Sequence, residues 1–200
     1  MTQDEVLEGL APFFPVVYET LESAWQSTLD FFDHEARPFD VFLAPGLLRW
    51  WAKQEFTRLQ PILGDMAVED LANNGLSLVY RQFRLRIWKT PDGQLPDSGQ
   101  SLTRDAFLRQ KQVMFGFMEE PLPVALNLAI LWSVDQEQRM DPLKLVCTKA
   151  DVAESAPIQV DWAYEIPHPA VAMETCSVDA DQTSLGFECL ETGEQEKGTS

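Results

Sequence analysis

Histidine is scarce in this chain. Only His34 and His168 occur among 200 residues. A Ser-His-Asp or Cys-His mechanism would have to use one of them. His34 follows an expected helix end, where a cation complements the helix dipole. His168 lies between two prolines, in an expected exposed loop. Both placements favour a structural role. Cysteine is equally sparse, with Cys147, Cys176 and Cys189. An odd number argues against a disulfide framework and for a reducing cytoplasm. A zinc site from His168, Cys176 and Cys189 would space its ligands eight and thirteen positions apart, unlike the close pairs of structural zinc sites. Cys147 alternates with Leu143 and Leu145 and reads as core.

Long apolar runs are also missing. The longest uncharged stretch, 121–134, has 14 residues and includes Asn127. A spanning helix needs about 20 apolar residues, so no membrane association is expected. The acidic start lacks the basic-then-apolar pattern of a signal peptide. No GxGxxG, GxxxxGK[ST], HExxH, GxSxG or CxxC occurs. Asp135, Glu137 and Asp141 bracket a turn without the glycine and ligand spacing of a calcium loop. Asp161 and Glu165 share an expected strand face, too far apart to share a proton. Segment 143–149 lacks the acid that a metal-dependent nuclease pattern requires. No catalytic residue, metal ligand or cofactor is assigned.

Acidic residues are abundant. Asp and Glu number 32 against 15 Lys and Arg, a net charge of -17. That excludes a protein that coats nucleic acid with its whole surface. The charge is uneven: net -8 over residues 1–40, +3 over 41–115, -2 over 116–150 and -10 over 151–200. Two acidic ends flank a mildly basic middle. Such asymmetry marks interaction surfaces, or acidic ends that fold back on the middle.

Hydrophobic periodicity places the elements. Apolar residues recur at three and four over 15–33, one helix face, after a short helix ended at Pro12. Residues 46–60 form another helix, with Leu48, Trp51, Ala52, Phe56 and Leu59 inward and Pro61 as its stop. Residues 65–73 read as a short helix capped by Asn74-Gly75. Strands are expected at 76–89, 124–134, 142–149 and 158–166, with a helix at 103–118. In 158–166, Val160, Trp162, Tyr164 and Ile166 face one way. Helices first and strands later predict an α+β fold, with N-terminal helices over about 5–73 packed on a mostly antiparallel sheet. Residues 1–172 are expected as one integrated domain, with a helical lobe at 1–75 and a sheet lobe at 76–172. The acidic segment 173–200 follows, disordered at least from 191.

One constellation exceeds background. Segment 80–89 holds three Arg, one Lys and three aromatics. On a strand, Gln82, Arg84, Arg86 and Trp88 share a face. Arg offers multi-donor recognition of phosphate or carboxylate, and Trp offers a stacking plate. Arg81 adjoins them, and Arg49 and Lys53 on the second long helix extend the patch, as do Arg104, Arg109 and Lys111. The structural alternative pairs these arginines inside the fold and packs Trp88 under a loop. Trp50 precedes the inward Trp51, so it falls at the margin of the buried face. An exposed Trp beside Arg49 and Lys53 suits a binding hot spot.

These features favour a non-catalytic cytoplasmic interaction protein of the inhibitor, immunity or accessory-subunit type. Its acidic ends would engage a basic protein partner, such as a nucleic-acid enzyme, by mimicking a polyanion. A second reading makes it a nucleic-acid binder through the patch at 81–89, extended over 81–111, with the acidic tail as regulator. A third is an enzyme whose carboxylates or His168 converge without a recognisable motif.

Overall fold

The chain opens on a capping box. The Thr2 hydroxyl accepts from the Glu5 backbone N–H at 3.3 Å, and the Glu5 carboxylate accepts from the Thr2 N–H at 2.7 Å. These bonds satisfy amides that helix α1 (Gln3–Leu10) leaves unpaired. A 3-10 turn, Ala11–Phe13, leads into α2 (Phe14–His34), with Pro15 in the first turn, where its missing N–H costs nothing. Helix α3 spans Ala44–Leu63. The described residues form six strands, β1 (Met66–Asp70), β2 (Leu76–Tyr80), β3 (Phe83–Lys89), β4 (Leu126–Trp132), β5 (Lys144–Thr148) and β6 (Val160–Glu165), and α4 (Leu102–Leu108) lies between β3 and β4. This computed structural model describes residues 1–71, 75–91, 93–96, 99, 101–111, 126–150 and 156–170. The chain divides into residues 1–169 and 170–200, and every described element lies in the first unit.

The strands form one sheet in chain order, β1 to β6. All neighbours are antiparallel except β3 and β4. A parallel pair needs a crossover, and the crossover carries α4. The fold is thus α+β with a mostly antiparallel sheet. One face carries the N-terminal helices. Phe13 stacks on Tyr80 at 4.4 Å, Phe14 on Tyr164 at 5.9 Å, and Trp25 meets Trp132 at 5.8 Å. A single buried cluster runs from Val6 to Ile166. The other face holds a smaller cluster of Ala129, Leu131 and Val146, flanked by Trp88 and Leu95. Helix α4 covers part of that face, with Phe107 edge-on to Trp88 at 5.5 Å. No described helix is long and apolar enough to cross a membrane.

Several expectations change. Residues 66–70 are a strand, not part of a short helix. Met, Ala and Glu favour a helix, but pairing along Met66↔Tyr80 to Asp70↔Leu76 overrides that weak preference. Asn74 lies outside the described residues. The expected single strand 76–89 is a hairpin, turning at Arg81-Gln82 with Arg81 at a φ of 54°. The turn lacks the glycine or asparagine that usually marks it. Pro61 does not stop α3. It sits in the last turn, and Gly64, at a φ of 63°, closes the helix through its N–H to the Gln60 carbonyl at 3.2 Å. The β5–β6 register shifts between Cys147 and Thr148, pairing Thr148 with Val160. Trp162 and Tyr164 pack against the main core, whereas Val160 is 46% exposed. Helix α4 ends at Leu108, and residues 112–118 of the expected 103–118 helix lie outside the described residues, as does 173–200.

Candidate functional site

The register of the hairpin arranges the basic segment. Glu69 pairs with Ser77, and Ser77 with Arg86. Alternate strand positions share a face, so Arg84, Arg86 and Trp88 share the face that also holds Glu69. Arg84 closes on Glu69: its Nε lies 3.0 and 3.1 Å from the two carboxylate oxygens, and its Nη2 lies 2.9 Å from Oε1. The Ser77 hydroxyl donates to Oε2 at 2.7 Å. Both charged side chains are nearly buried, at 11% and 8% exposure. Glu69 was invisible as a partner because its segment read as helix.

Arg86 is buried more deeply, at 7% exposure. Its guanidinium lies 4.5 Å from the centroid of the Phe107 ring, and Nη1 donates to the Thr103 carbonyl at 3.4 Å. Its Nε is buried and has no hydrogen-bond partner among the described residues. Burial pushes this guanidinium down from the ordinary arginine range; Glu69 opposes that, while Arg84 and Arg104 add to it. Trp88 is half-buried, with Arg104 placed 5.7 Å from its ring centroid. The strand therefore presents no open stacking plate at Arg84, Arg86 and Trp88. Arg81, in the turn, is exposed, 3.5 Å from Asp65, and its Nη1 donates to the Gly9 carbonyl at 3.3 Å.

Arg49, on α3, joins Arg86 and Trp88 in lining one hollow of about 360 Å³. The Arg49 Nε is also buried without a hydrogen-bond partner among the described residues, and burial pushes its guanidinium down from the ordinary arginine range. Lys53 is half-buried one turn further along α3. Trp50 is 45% exposed and lies edge-on to Trp51 at 4.4 Å.

Neither a protein family, nor a curated protein, nor a solved structure matches this chain.

The most exposed large aromatic among the described residues was not anticipated. Phe42 is 92% exposed, with Val41 at 56% and Leu43 at 43% beside it. The loop is held in place: Asp40 Oδ1 accepts the backbone N–H groups of Phe42 at 2.8 Å and Leu43 at 3.1 Å. A short polar side chain bonded to the amides just after it is a common device for fixing a turn. Leu43, Leu47 and Trp50 then follow at helical spacing along one side of α3. Asp33, Glu35 and Asp40 are exposed nearby in sequence, with Arg37 as the base among them. Every acid of residues 1–40 is exposed except Glu22, which is half-buried.

The remaining candidates have internal partners. Asp135 accepts from the backbone of Glu137 and Arg139 and from Arg139 Nε at 3.0 Å, which holds its carboxyl below the usual range. Asp141 accepts from the Ser133 hydroxyl at 2.6 Å. Among the described residues, no three His, Cys, Asp or Glu are grouped to hold a metal. Asp161 lines a hollow with Cys147 and Trp162, while Glu165 lines another with Lys144 and Val146. They do not share a site. His34 is exposed at the end of α2. His168 lies in the loop after β6 and is half-buried: its Nε2 lies 3.2 Å from Glu22, and its ring meets Tyr18 edge-on at 4.7 Å. That contact ties the segment after β6 to α2. Cys176 and Cys189 lie outside the described residues.

Proposed function

We propose that this chain is a non-catalytic interaction protein of the cytoplasm, of the inhibitor or accessory-subunit type, that docks on a basic protein. The observation that carries the reading is Phe42, at 92% exposure on a loop fixed by Asp40. Exposing an apolar side chain of this size forgoes roughly 1.5–3 kcal/mol of burial. A single exposed apolar residue is ordinary, but contiguous ones rimmed by polar groups mark docking sites. Val41, Leu43 and Trp50 give Phe42 that apolar company. Asp33, Glu35 and Asp40 give it the sign of charge that a basic partner complements, and the net -8 of residues 1–40 steers encounter at longer range. The loop is ordered before binding, which lowers the entropic cost of docking.

The test compares the tagged full chain with Phe42→Ser in affinity purification from its own cells. The reading expects a basic protein that is retained at low salt, released by about 0.5 M salt, and weakened at least about tenfold by Phe42→Ser. Equal retention by the variant would overturn the reading, as would an acidic partner.

A further inference from the structure

A buried arginine, Arg86, and a half-buried one, Arg49, line one hollow, and neither has a carboxylate partner among the described residues. Arg84 and Glu69 close on each other, so the nearest carboxylate is already engaged. Arg86 remains beside that pair, 93% buried by its 7% exposure, with an orphaned Nε. Arg49 reaches the same hollow from the opposite side of the sheet, also with an orphaned Nε. Arg104 lines it from α4, with Thr103, Ser101 and the Trp88 ring. Arginines from three separate elements thus line one hollow in a protein of net charge -17. Buried arginine without a counter-charge is costly, and buried unpaired donors add to that cost.

We infer that this hollow binds the phosphate group of a small phosphorylated molecule, through Arg49, Arg86 and Arg104. A carboxylate carries one charge and two oxygens. A phosphate monoester carries about -1.5 to -2 and three acceptor oxygens, which suits a hollow lined by three arginines from separate elements. The volume of about 360 Å³ lies at the small end of ligand sites, which run from roughly 300 to 1,000 Å³. It leaves room for an organic part beside the phosphate, against Trp88 and Leu76. A nucleic-acid strand asks instead for an open groove and exposed rings. The site is independent of the Phe42 loop and of the docking reading.

Calorimetric titration of the full chain tests it, with inorganic phosphate and ribose 5-phosphate as probes. Sodium chloride and acetate at matched ionic strength serve as comparators. One saturable site is expected for each phosphate compound, ribose 5-phosphate binding the tighter, with no saturable binding of acetate. Arg49→Gln and Arg86→Gln should each weaken binding at least about tenfold, the loss of one charge-assisted bond. Arg49 is on a half-exposed helix face, so its variant should fold even if the Arg86 variant does not. Arg37→Gln and Phe42→Ser should bind as the parent does. Phosphate acting no better than chloride, acetate binding equally well, or undiminished binding by Arg49→Gln would each overturn the assignment. So would displacement of phosphate by a single-stranded oligonucleotide with a steep salt dependence, which would indicate a polymer site.

Discussion

Replacing Glu69 with Gln should be among the most damaging single changes to the fold. Glu69 keeps its shape in that variant but loses its charge. Arg84, at 11% side-chain exposure, then has no carboxylate, and Arg86 is buried beside it. The three Arg84 contacts at 2.9 to 3.1 Å lose their charge assistance together. Two unit charges about 4 Å apart interact by roughly 4 kcal/mol at the effective dielectric of a partly buried site. Removing one partner of a buried pair costs about 3–5 kcal/mol in proteins generally, because the other charge is left desolvated. The two figures agree, and we expect a loss of about 3–5 kcal/mol. For a chain of this length that lowers the melting temperature by roughly 6–20 °C. Urea unfolding followed by tryptophan fluorescence and circular dichroism measures it. Because the pair is nearly buried, the loss should change little with salt. Adding Arg84→Met to Glu69→Gln should recover most of the lost stability, since no unpaired Arg84 then remains. A cost below about 1 kcal/mol, or a double variant as unstable as the sum of the singles, would refute the reasoning.

Two further outcomes follow from the geometry. Burial, and then Asp161, push the Cys147 thiol up to about 11. The folded thiol therefore stays protonated where the unfolded one ionises. Its contribution is fully present below the unfolded value of about 9 and is lost as pH rises toward 11. With Cys176→Ser and Cys189→Ser in the background, Cys147 should react with a disulfide reagent at pH 8 only as the protein unfolds; rapid labelling of the native chain would contradict this. At the Phe42 loop, Asp40→Asn should keep the turn, because an amide oxygen still accepts the Phe42 and Leu43 amides, and under the proposed docking should weaken partner binding mainly by slowing association. Asp40→Ala should also cost about 1 kcal/mol of stability, which chemical denaturation resolves.

The helical half was readable because its signals are local. The three-and-four spacing of Val17, Leu21, Ala24 and Trp25 predicted α2, and the structure buries all four. Strands β4 and β5 were visible through their apolar runs. Segment 66–70 was not, because a stretch in which Met66, Ala67 and Glu69 favour a helix becomes a strand only through a partner that the window excludes. The Arg81-Gln82 turn was hidden for the opposite reason, a local signal that is missing. The basic segment was found, but its meaning turned on distant residues. Glu69 takes Arg84 out of the patch, α4 covers Arg86, and Arg49 arrives from the far side of the sheet. The Trp50 margin was legible from helical spacing. Phe42 was not, since nothing in the order Asp40-Val41-Phe42-Leu43 reveals that a loop holds the ring in solvent.

Amide hydrogen exchange of the full chain, alone and with the basic protein it retains, tests the central claim most directly. The docking reading predicts new protection concentrated at residues 40–50 and at the solvent-facing turns of α1 and α2, with β3 and α4 unchanged. Protection confined to β3 and α4, or none at residues 40–50 in a saturated complex, would contradict it.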